Sequence, residues 1–401
     1  MIFQLALGIL TAIGGFLDVG AITTTALAGA VFSYQLIWAV LLGTLCVILL
    51  TEMCGRLAAV SHHTVADAVR ERIGFRYFAI PLFAELIIDT MVLAAEIGGI
   101  AVALHLATGF DYRLFVAPAA LLLWALLWFG NFSVIENGVA FFGLVTLSFV
   151  FGAFRMHPDW QQAALGAVPS LPARDTARYW FIAISIVGSV LQPFLLNFYA
   201  SGAVEEKWGV KDLWLNRTVA VLGMSFGSVI GIGILVLAAL MLGSRGIQVD
   251  SFEQAVSTLV GPFGEWGLSL FAASLGIAAL GAAADVSLNL AYLVAQGLGW
   301  NWSENLKPHD DARFAMVYTV CIFLAAILVM FADPLRLTMM TMALNAAIAP
   351  LIVFPLLILM NDKAYLRDKT NGPLANILIA LVILVACAIA VVAIPLELFG
   401  G

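Results

Sequence analysis

Apolar stretches of helix length dominate this chain, and each is about 20 residues long, enough to cross a bilayer. They lie at positions 3–30, 34–56, 78–107, 114–130, 138–154, 179–203, 215–243, 263–297, 312–331, 335–361 and 372–398. Of the 401 residues, 63% are hydrophobic and 11% are charged, whereas a typical soluble domain has about 25% charged residues. The sequence therefore predicts an all-α polytopic membrane protein with about eleven transmembrane helices.

Positive charges are divided unequally between the joints that separate these stretches. If the joints alternate between two sides, the richer side holds Arg56, Arg70, Arg72, Arg76, Lys207, Lys211, Arg217, Lys307, Arg313, Lys363, Arg367 and Lys369. The other side holds Arg113, Arg155, Arg174, Arg178, Arg245 and Arg336. Because cytoplasmic loops are enriched in Lys and Arg, we predict an inner (plasma) membrane protein with its N-terminus in the cytoplasm and its C-terminus outside.

The first apolar stretch contains a carboxylate at membrane depth. Asp18 lies among Gly14, Gly15 and Gly20, in a stretch without a basic n-region, so we predict a retained first helix rather than a signal peptide. A charge at this depth persists only against a cavity, a partner or an ion. Broken backbone is likewise tolerated in a membrane only where it lines a cavity or is buried in protein. The sequence therefore predicts a helix break at Asp18.

A second interruption occurs half a chain later, in the stretch Gly188–Asn197. Pro193 removes a helix hydrogen bond next to Gln192, again inside an apolar span. Two interrupted helices at corresponding places in two halves indicate the binding site of a secondary transporter. We therefore expect the site to lie between the two breaks.

The spans divide into two halves of five, each of which opens with a broken helix. An odd number of spans in each half inverts the second half relative to the first, as in many transporters. We predict a first repeat over residues 1–154, a second repeat over residues 155–361, and an appended eleventh helix with the C-terminus over residues 362–401.

Asp18 and Gln192 are the candidate metal ligands. Carboxylate, amide and freed carbonyl oxygens suit hard cations such as Mg²⁺, Ca²⁺ or Mn²⁺. Two structural interpretations stay open beside this one. Asp18 is also a good helix N-cap, and Gln192 could satisfy backbone groups that the proline frees.

Other polar residues inside the spans are candidates for the ion pathway. We assign Glu96, Asp285 and Asn345 to it, with a buried hydrogen bond as the alternative for Glu96 and a structural pairing as the alternative for Asp285. Asn345 joins the site only if its helix faces the breaks. Glu85 and Asp89 lie one helical turn apart, and we place them at a water-filled vestibule.

Several function classes lack support in the sequence. No histidine lies near either break, which argues against a histidine proton relay at the site. No nucleotide-binding, nucleophile-elbow or zincin motif is present, and no basic tract indicates nucleic-acid binding. We therefore expect no enzyme, no cofactor, no nucleic-acid partner and no obligate protein partner; membrane lipid surrounds the chain and a divalent metal ion is its substrate.

These motifs, taken in chain order, resemble those of the Nramp family of divalent metal transporters. Asp18-Val-Gly-Ala21 stands where the family has Asp-Pro-Gly-Asn, and Ala95-Glu-Ile-Gly-Gly99 resembles its third-helix motif. Gly188-Ser-Val-Leu-Gln-Pro-Phe194 stands where the family has an Ala-Thr-Val-Met-Pro-His type of sequence. The resemblance implies a leucine-transporter-like fold with two inverted five-helix repeats and broken helices 1 and 6. It also implies an ion-binding site made by Asp18, Gly20, Ala21, Leu191, Gln192 and Phe194.

The departures from the family pattern carry a prediction about the ion. The asparagine of the first motif is Ala21 here, the methionine is Gln192, and the histidine after the proline is Phe194. The site thus keeps its charge, loses its sulfur and loses its histidine. Thioether ligands favour transition metals, and Mg²⁺ dehydrates reluctantly, so an oxygen site with fewer ligands favours Mg²⁺ or Mn²⁺ over Fe²⁺.

The resulting expectation is a secondary transporter of divalent cations that works by alternating access without proton coupling, as the magnesium-transporting branch of the family does. Two alternatives remain at this stage. One is a transporter of a small organic solute, perhaps cationic, held by Asp18 and by a cation–π contact with Phe194. The other is a membrane sensor that binds a ligand without transporting it.

Overall fold

In the computed structural model of this protein, the structure describes residues 17–399 except 171, 173, 174, 248 and 250. The first half consists of α1 (Val19–Phe32), α2 (Ile37–Ser61), α3 (Val65–Arg72), α4 (Phe75–Thr108), α5 (Arg113–Phe129), α6 (Phe132–Gly143), α7 (Leu147–Arg155) and α8 (Trp160–Leu165). The second half begins with α9 (Thr176–Val190), α10 (Pro193–Glu205), α11 (Leu213–Met241), α12 (Phe252–Ala255) and α13 (Ser257–Phe263). It ends with α14 (Trp266–Leu298), α15 (Ala312–Phe331), α16 (Pro334–Met360), α17 (Lys363–Leu366) and α18 (Pro373–Phe399).

Eight helical stretches in the described part of the chain are long and apolar enough to cross a membrane. The first of them, Val19–Ser61, contains both α1 and α2, which a short 3₁₀ turn at Ser33–Leu36 joins. Two shorter apolar helices, Arg113–Phe129 and Pro373–Leu384, accompany the eight. The predicted all-α membrane architecture is therefore confirmed. The part of the first predicted span that precedes residue 17, with Gly14 and Gly15, lies outside the described residues.

The helix at the fifth predicted span, positions 138–154, begins earlier in the structure than we predicted. We expected a polar joint as far as Gly138, but α6 already starts at Phe132, so that only Gly130 and Asn131 separate it from α5. Phe132, Ile135 and Val139 recur at helical spacing and line one cavity together. The helical spacing of these three apolar residues favours helix from Phe132 onwards, although polar residues lie between them.

One end of the bundle, here called the lysine end, consists of the joints 62–74, 206–212, 299–311 and 361–372, which carry all five lysines. Side chains connect these joints across the bundle. The Arg56 guanidinium donates to the carbonyl oxygen of Lys369 at 2.8 Å and to Asn371 Oδ1 at 2.7 Å. Arg72 forms an ion pair with Asp362 at 2.5 Å, and Thr64 Oγ1 donates to Gln296 Oε1 at 2.8 Å. The joint Gly130–Asn131 also lies at the lysine end, because the carbonyl oxygen of Gly130 accepts a hydrogen bond from Lys307 Nζ at 2.9 Å.

The opposite end gathers the other joints. Trp38 is the second residue of α2, and its backbone N–H donates to the carbonyl oxygen of Gly166 at 2.9 Å. His105, near the end of α4, lies 3.3 Å from Glu253 in the short helix α12. Joints that follow odd-numbered and even-numbered predicted spans therefore meet at opposite ends, which is the alternation that the sequence predicted.

Helix α1 is held in the centre of the bundle by close packing against α11. Gly29 lies so close to α11 that a Cβ there would overlap the backbone oxygen of Leu235 and stand 2.9 Å from the Cβ of Ala238. Backbone atoms cannot move aside as a flexible side chain can. The absence of a side chain at Gly29 therefore sets how closely α1 packs against α11, and so helps to fix the position of Asp18 at the start of α1.

Replacing Gly29 with alanine is expected to destabilise the protein by about 1–3 kcal/mol, because the added methyl group overpacks a rigid contact. Thermal unfolding of the purified protein in detergent measures the effect. Gly138→Ala is the matched control, since nothing lies within 4 Å of a Cβ at that helical position and alanine favours the helix. A Gly29→Ala variant that melts at or above the wild-type temperature contradicts the packing argument.

Candidate ion-binding site

Two helix ends meet at the predicted breaks. Asp18 precedes the first residue of α1 and caps it, since its Oδ1 accepts a hydrogen bond from the Ala21 N–H at 2.6 Å. Helix α9 ends at Val190, and α10 begins at Pro193, with Leu191 and Gln192 between them. The proline occupies the first helical position, where its missing N–H costs nothing. The second break is therefore present where the sequence placed it, and the capping interpretation of Asp18 also holds.

The amide nitrogen of Gln192 joins the two breaks. Nε2 donates to Asp18 Oδ2 at 2.5 Å and to the carbonyl oxygen of Ser189 at 2.6 Å. It also lies 3.7 Å from Met342 Sδ. A carboxylate oxygen, a carbonyl oxygen from the last turn of a helix and a thioether sulfur thus surround one positively polarised NH₂ group. The same three atoms would serve as ligands for a cation at that position.

The other atom of this amide has no partner. Gln192 is buried, and its Oε1 has no hydrogen bond within the described structure. Rotating the amide by half a turn about its last bond exchanges Nε2 and Oε1. The side chain can therefore present either a donor or an acceptor to Asp18, and only the acceptor suits a bound cation.

Met342 is the residue of this site that the sequence did not reveal. We expected the site to have lost its sulfur, but α16 supplies one from a position 150 residues away from Gln192. Gly20 permits the approach, because a Cβ at that position would lie 2.5 Å from both Sδ and Cε of Met342. No local pattern around Met342 distinguishes it from the other methionines of α16, so only the packing of α16 on α1 identifies it.

A second buried carboxylate lies beside the first break. The backbone N–H of Val19 donates to Glu96 Oε2 at 3.4 Å, while Glu96 Oε1 has no partner among the described residues. Glu96 is fully buried, and the nearby negative charge acting on it is that of Asp18. Two carboxylates without a basic partner in the described structure make this region attractive to cations.

The remaining predicted residues fall into two groups. Leu191 and Phe194 are buried at the second break, and Asn345 is buried one turn beyond Met342, with neither of its amide atoms hydrogen-bonded in the described structure. Asp285, in contrast, lies away from the breaks and lines a cavity with Glu136. The structure thus brings Asn345 towards the site and separates Asp285 from it.

The vestibule expected around Glu85 and Asp89 is absent from the described structure. Both carboxylates are buried in the helix packing, where each has an amide partner. Asn197 Nδ2 donates to Glu85 Oε2 at 2.7 Å, and Asn289 Nδ2 donates to Asp89 Oδ2 at 3.2 Å. The burial of both acids and their amide partners replace the water-filled surroundings that we expected.

Histidine takes no part in the contacts of the site. His63 pairs with Glu71 at 3.3 Å and His309 with Asp310 at 3.3 Å, both in joints of the lysine end. None of the described hydrogen bonds of Asp18, Gln192 or Glu96 involves a histidine. The described contacts of these three residues are therefore made with carboxylate, amide, backbone and thioether groups.

Comparisons with known proteins place this geometry in a family. The family model described as natural resistance-associated macrophage protein-like (Nramp) matches residues 8–395. The divalent metal cation transporter MntH of Caldanaerobacter subterraneus subsp. tengcongensis is 22% identical over 387 residues, which cover 92% of this chain and 87% of that protein. MntH of Agrobacterium fabrum is 28% identical over 417 residues, which cover 98% of this chain and 87% of that protein.

Solved transporter structures share the fold. The manganese transporter of Eremococcus coleocola aligns with a TM-score of 0.80 at 19% identity, covering 99% of this chain and 87% of that one. MhsT in complex with L-phenylalanine aligns with a TM-score of 0.63 at 13% identity, covering 97% of both chains. These likenesses confirm a leucine-transporter-like fold. Since the family model spans nearly the whole sequence, the chain belongs to the Nramp family.

Proposed function

We propose that this protein is a secondary transporter of divalent metal cations, with Mg²⁺ or Mn²⁺ ahead of Fe²⁺, and that Asp18 and Gln192 bind the ion between the two helix breaks. The observation that carries the proposal is the position of the Gln192 amide nitrogen, between Asp18 Oδ2 at 2.5 Å, the Ser189 carbonyl oxygen at 2.6 Å and Met342 Sδ. An arriving cation takes the place of that nitrogen, and the amide turns its unpartnered Oε1 towards the ion.

The oxygen ligands of the site favour a hard divalent ion. Carboxylate, carbonyl and amide oxygens suit Mg²⁺ and Mn²⁺, whereas the imidazole that also suits iron is missing from the described site. The carbonyl of Ser189 belongs to the last turn of α9, where it lacks an intrahelical partner and the helix dipole is negative. Met342 adds one polarisable ligand, which distinguishes Mn²⁺ from Mg²⁺ because Mg²⁺ gains little from sulfur.

The absence of imidazole from the described site supports transport without proton coupling. The described site has no histidine, which is the side chain whose ordinary pKa lies nearest to neutral pH. The Gln192 amide does not titrate, so exchanging its NH₂ group for a cation moves no proton. We therefore infer that metal entry does not require proton entry.

The architecture of the proposed transporter has eleven membrane crossings in two inverted repeats, over residues 1–154 and 155–361, followed by residues 362–401. Joints with all five lysines meet at one end of the bundle, which we assign to the cytoplasm of a plasma-membrane protein, with the N-terminus inside and the C-terminus outside. One half-bundle rocks against the other and exposes the Asp18 site to each side in turn.

Uptake into proteoliposomes tests the proposal. Mg²⁺, Ca²⁺, Mn²⁺ and Fe²⁺ are offered separately, protein-free liposomes provide the control, and a trapped dye records the internal pH. We expect Mg²⁺ or Mn²⁺ to enter faster than Fe²⁺, without internal acidification. Acidification that accompanies metal entry contradicts the uncoupled mechanism, and the failure of all four ions to enter through folded protein contradicts metal transport and favours the organic-solute alternative.

A further inference from the structure

Asp285 is a buried carboxylate that the helix packing leaves without a partner. It is 8% exposed, and no hydrogen bond or ion pair connects it to any described residue. Every other strongly buried acid inside the described spans accepts a hydrogen bond: Asp18 from Gln192 and Ala21, Glu85 from Asn197, Asp89 from Asn289, and Glu96 from Val19. Asp285 therefore differs from acids that serve the packing, and an intramembrane acid without a partner is a candidate ion-binding group.

A cavity provides the room for that ligand. Asp285 on α14 and Glu136 on α6 both line it, and the other walls, which include Phe132, Val139 and Ala284, are apolar or small. Its volume is about 10 Å³, which accommodates about one water-sized occupant. Glu136, like Asp285, has no hydrogen bond from its side chain to any described residue. Two carboxylates thus face one small space, and no basic side chain among the described residues lines it.

The surrounding charges are negative as well. The charges that act on Asp285 are those of Glu136 and Glu304, and those that act on Glu136 are Glu304 and Glu206. Burial, followed by repulsion from Glu205 and Glu206, raises the pKa of Glu304 to about 7. The nearby ammonium group of Lys307 donates instead to the carbonyl oxygen of Gly130 at 2.9 Å. No described basic group faces Asp285 or Glu136, so a cation that enters the cavity meets two oxygen ligands and no competing positive charge.

The cavity lies between the Asp18 site and the lysine end. Gly99 on α4 packs against both Val19 and Ala279, because a Cβ at Gly99 would overlap Val19 and stand 3.2 Å from the Cβ of Ala279. Ala279 is therefore level with the first break. Asp285 follows six residues later on α14, about 9 Å further along the axis at 1.5 Å per residue, in the direction of Glu304.

We propose that Glu136 and Asp285 form a second cation-binding position, which holds the divalent ion between the Asp18 site and the lysine end during transport. This inference rests on the proposed function. The two carboxylates supply oxygen ligands of the kind that Mg²⁺ and Mn²⁺ accept. The ion neutralises the two acids while it is bound between them. Its release towards Glu304 completes its movement from the Asp18 site to the lysine end.

Initial rates of Mg²⁺ and Mn²⁺ uptake into proteoliposomes test this position, with wild type, Asp285→Asn, Glu136→Gln and the double variant compared. Each single variant is expected to lower the rate about tenfold, and the double variant no further than the slower single one, since the two residues act on one ion. Glu265→Gln is the control for loss of a carboxylate, because Glu265 is exposed at the opposite end. Thermal unfolding is measured in parallel.

The outcomes separate this inference from the proposed function. Asp285→Asn is expected to melt no lower than wild type, because it removes an unpaired buried charge; a lower melting temperature together with slower uptake indicates a structural role and overturns the proposal. Uptake by Asp285→Asn and Glu136→Gln at the wild-type rate also overturns it, while leaving the Asp18 site in place. If wild type transports no divalent ion, the proposed function itself fails.

Discussion

Replacing Asp18 with asparagine is expected to lower the initial rate of Mg²⁺ and Mn²⁺ uptake by about a hundredfold or more. Mutation of a residue that only hydrogen-bonds to a metal ligand typically lowers metal affinity by about 10–100-fold. Asp18 is assigned as the charged ligand itself, so its loss should cost at least as much. Asparagine keeps the size of the side chain and caps helices as well as aspartate does, so the hydrogen bond from Ala21 N–H to Oδ1 can persist. The substitution therefore removes the charge while it retains the helix end.

Two observations make this test specific. Asp18→Asn is expected to melt close to the wild-type temperature, whereas Asp18→Ala removes the cap as well and is expected to cost about 1 kcal/mol more in stability. Proteoliposomes with matched protein content compare the rates of all three proteins. Wild-type uptake by Asp18→Asn shows that the cation does not need this carboxylate, and the assigned site is then wrong.

Replacing Met342 with leucine is expected to lower the preference for Mn²⁺ over Mg²⁺ by about tenfold, equivalent to about 1.4 kcal/mol. Leucine and methionine have similar volumes, so the contact with Gly20 is retained while the sulfur is removed. Mg²⁺ gains little from a thioether, and its uptake should change little. Competition between the two ions for uptake measures the ratio directly.

Met340→Leu is the matched control for this prediction, because it removes a methionine from the same helix two residues before the one that contacts Gln192. It should leave the ratio unchanged. If Met342→Leu also leaves the ratio unchanged, the sulfur at 3.7 Å from the Gln192 amide does not contribute to ion selection. The preference between the ions then depends on the oxygen ligands alone.

The parts of the fold that depend on local chemistry could be predicted from the sequence. Pro193 cannot continue a helix and Asp18 caps one, so the second break and the start of α1 follow from single residues and their neighbours. The predicted span at positions 312–331 coincides with α15, because polar joints bound an uninterrupted apolar run.

Contacts between distant helices could not be predicted in this way. The sulfur of Met342 reaches the site only because Gly20 allows close packing of α16 on α1. Asn289 lies one turn from Asp285 on the same helix, but it donates to Asp89 on α4. A helix presents neighbouring turns to different partners when its axis crosses theirs, and a one-dimensional pattern does not contain that crossing.

The separation of Asp285 from the breaks has the same origin. Asp285 and Asn345 both appear in sequence as polar residues inside apolar spans, and the pattern around them does not rank one above the other. Packing places Asn345 one turn from Met342, whereas Asp285 faces Glu136 across a separate cavity. Only the arrangement of the helices shows that Asn345 belongs near the ion-binding site and that Asp285 belongs to the separate position proposed above.

The position of bound Mn²⁺ tests the central claim most directly, and anomalous X-ray scattering from crystals grown with Mn²⁺ measures it. The account predicts a peak between Asp18, Gln192 and Met342 that disappears in crystals of Asp18→Asn. A peak that persists in Asp18→Asn, or that occurs only away from Asp18 in a protein that transports Mn²⁺, contradicts the assignment of the transport site to the two helix breaks.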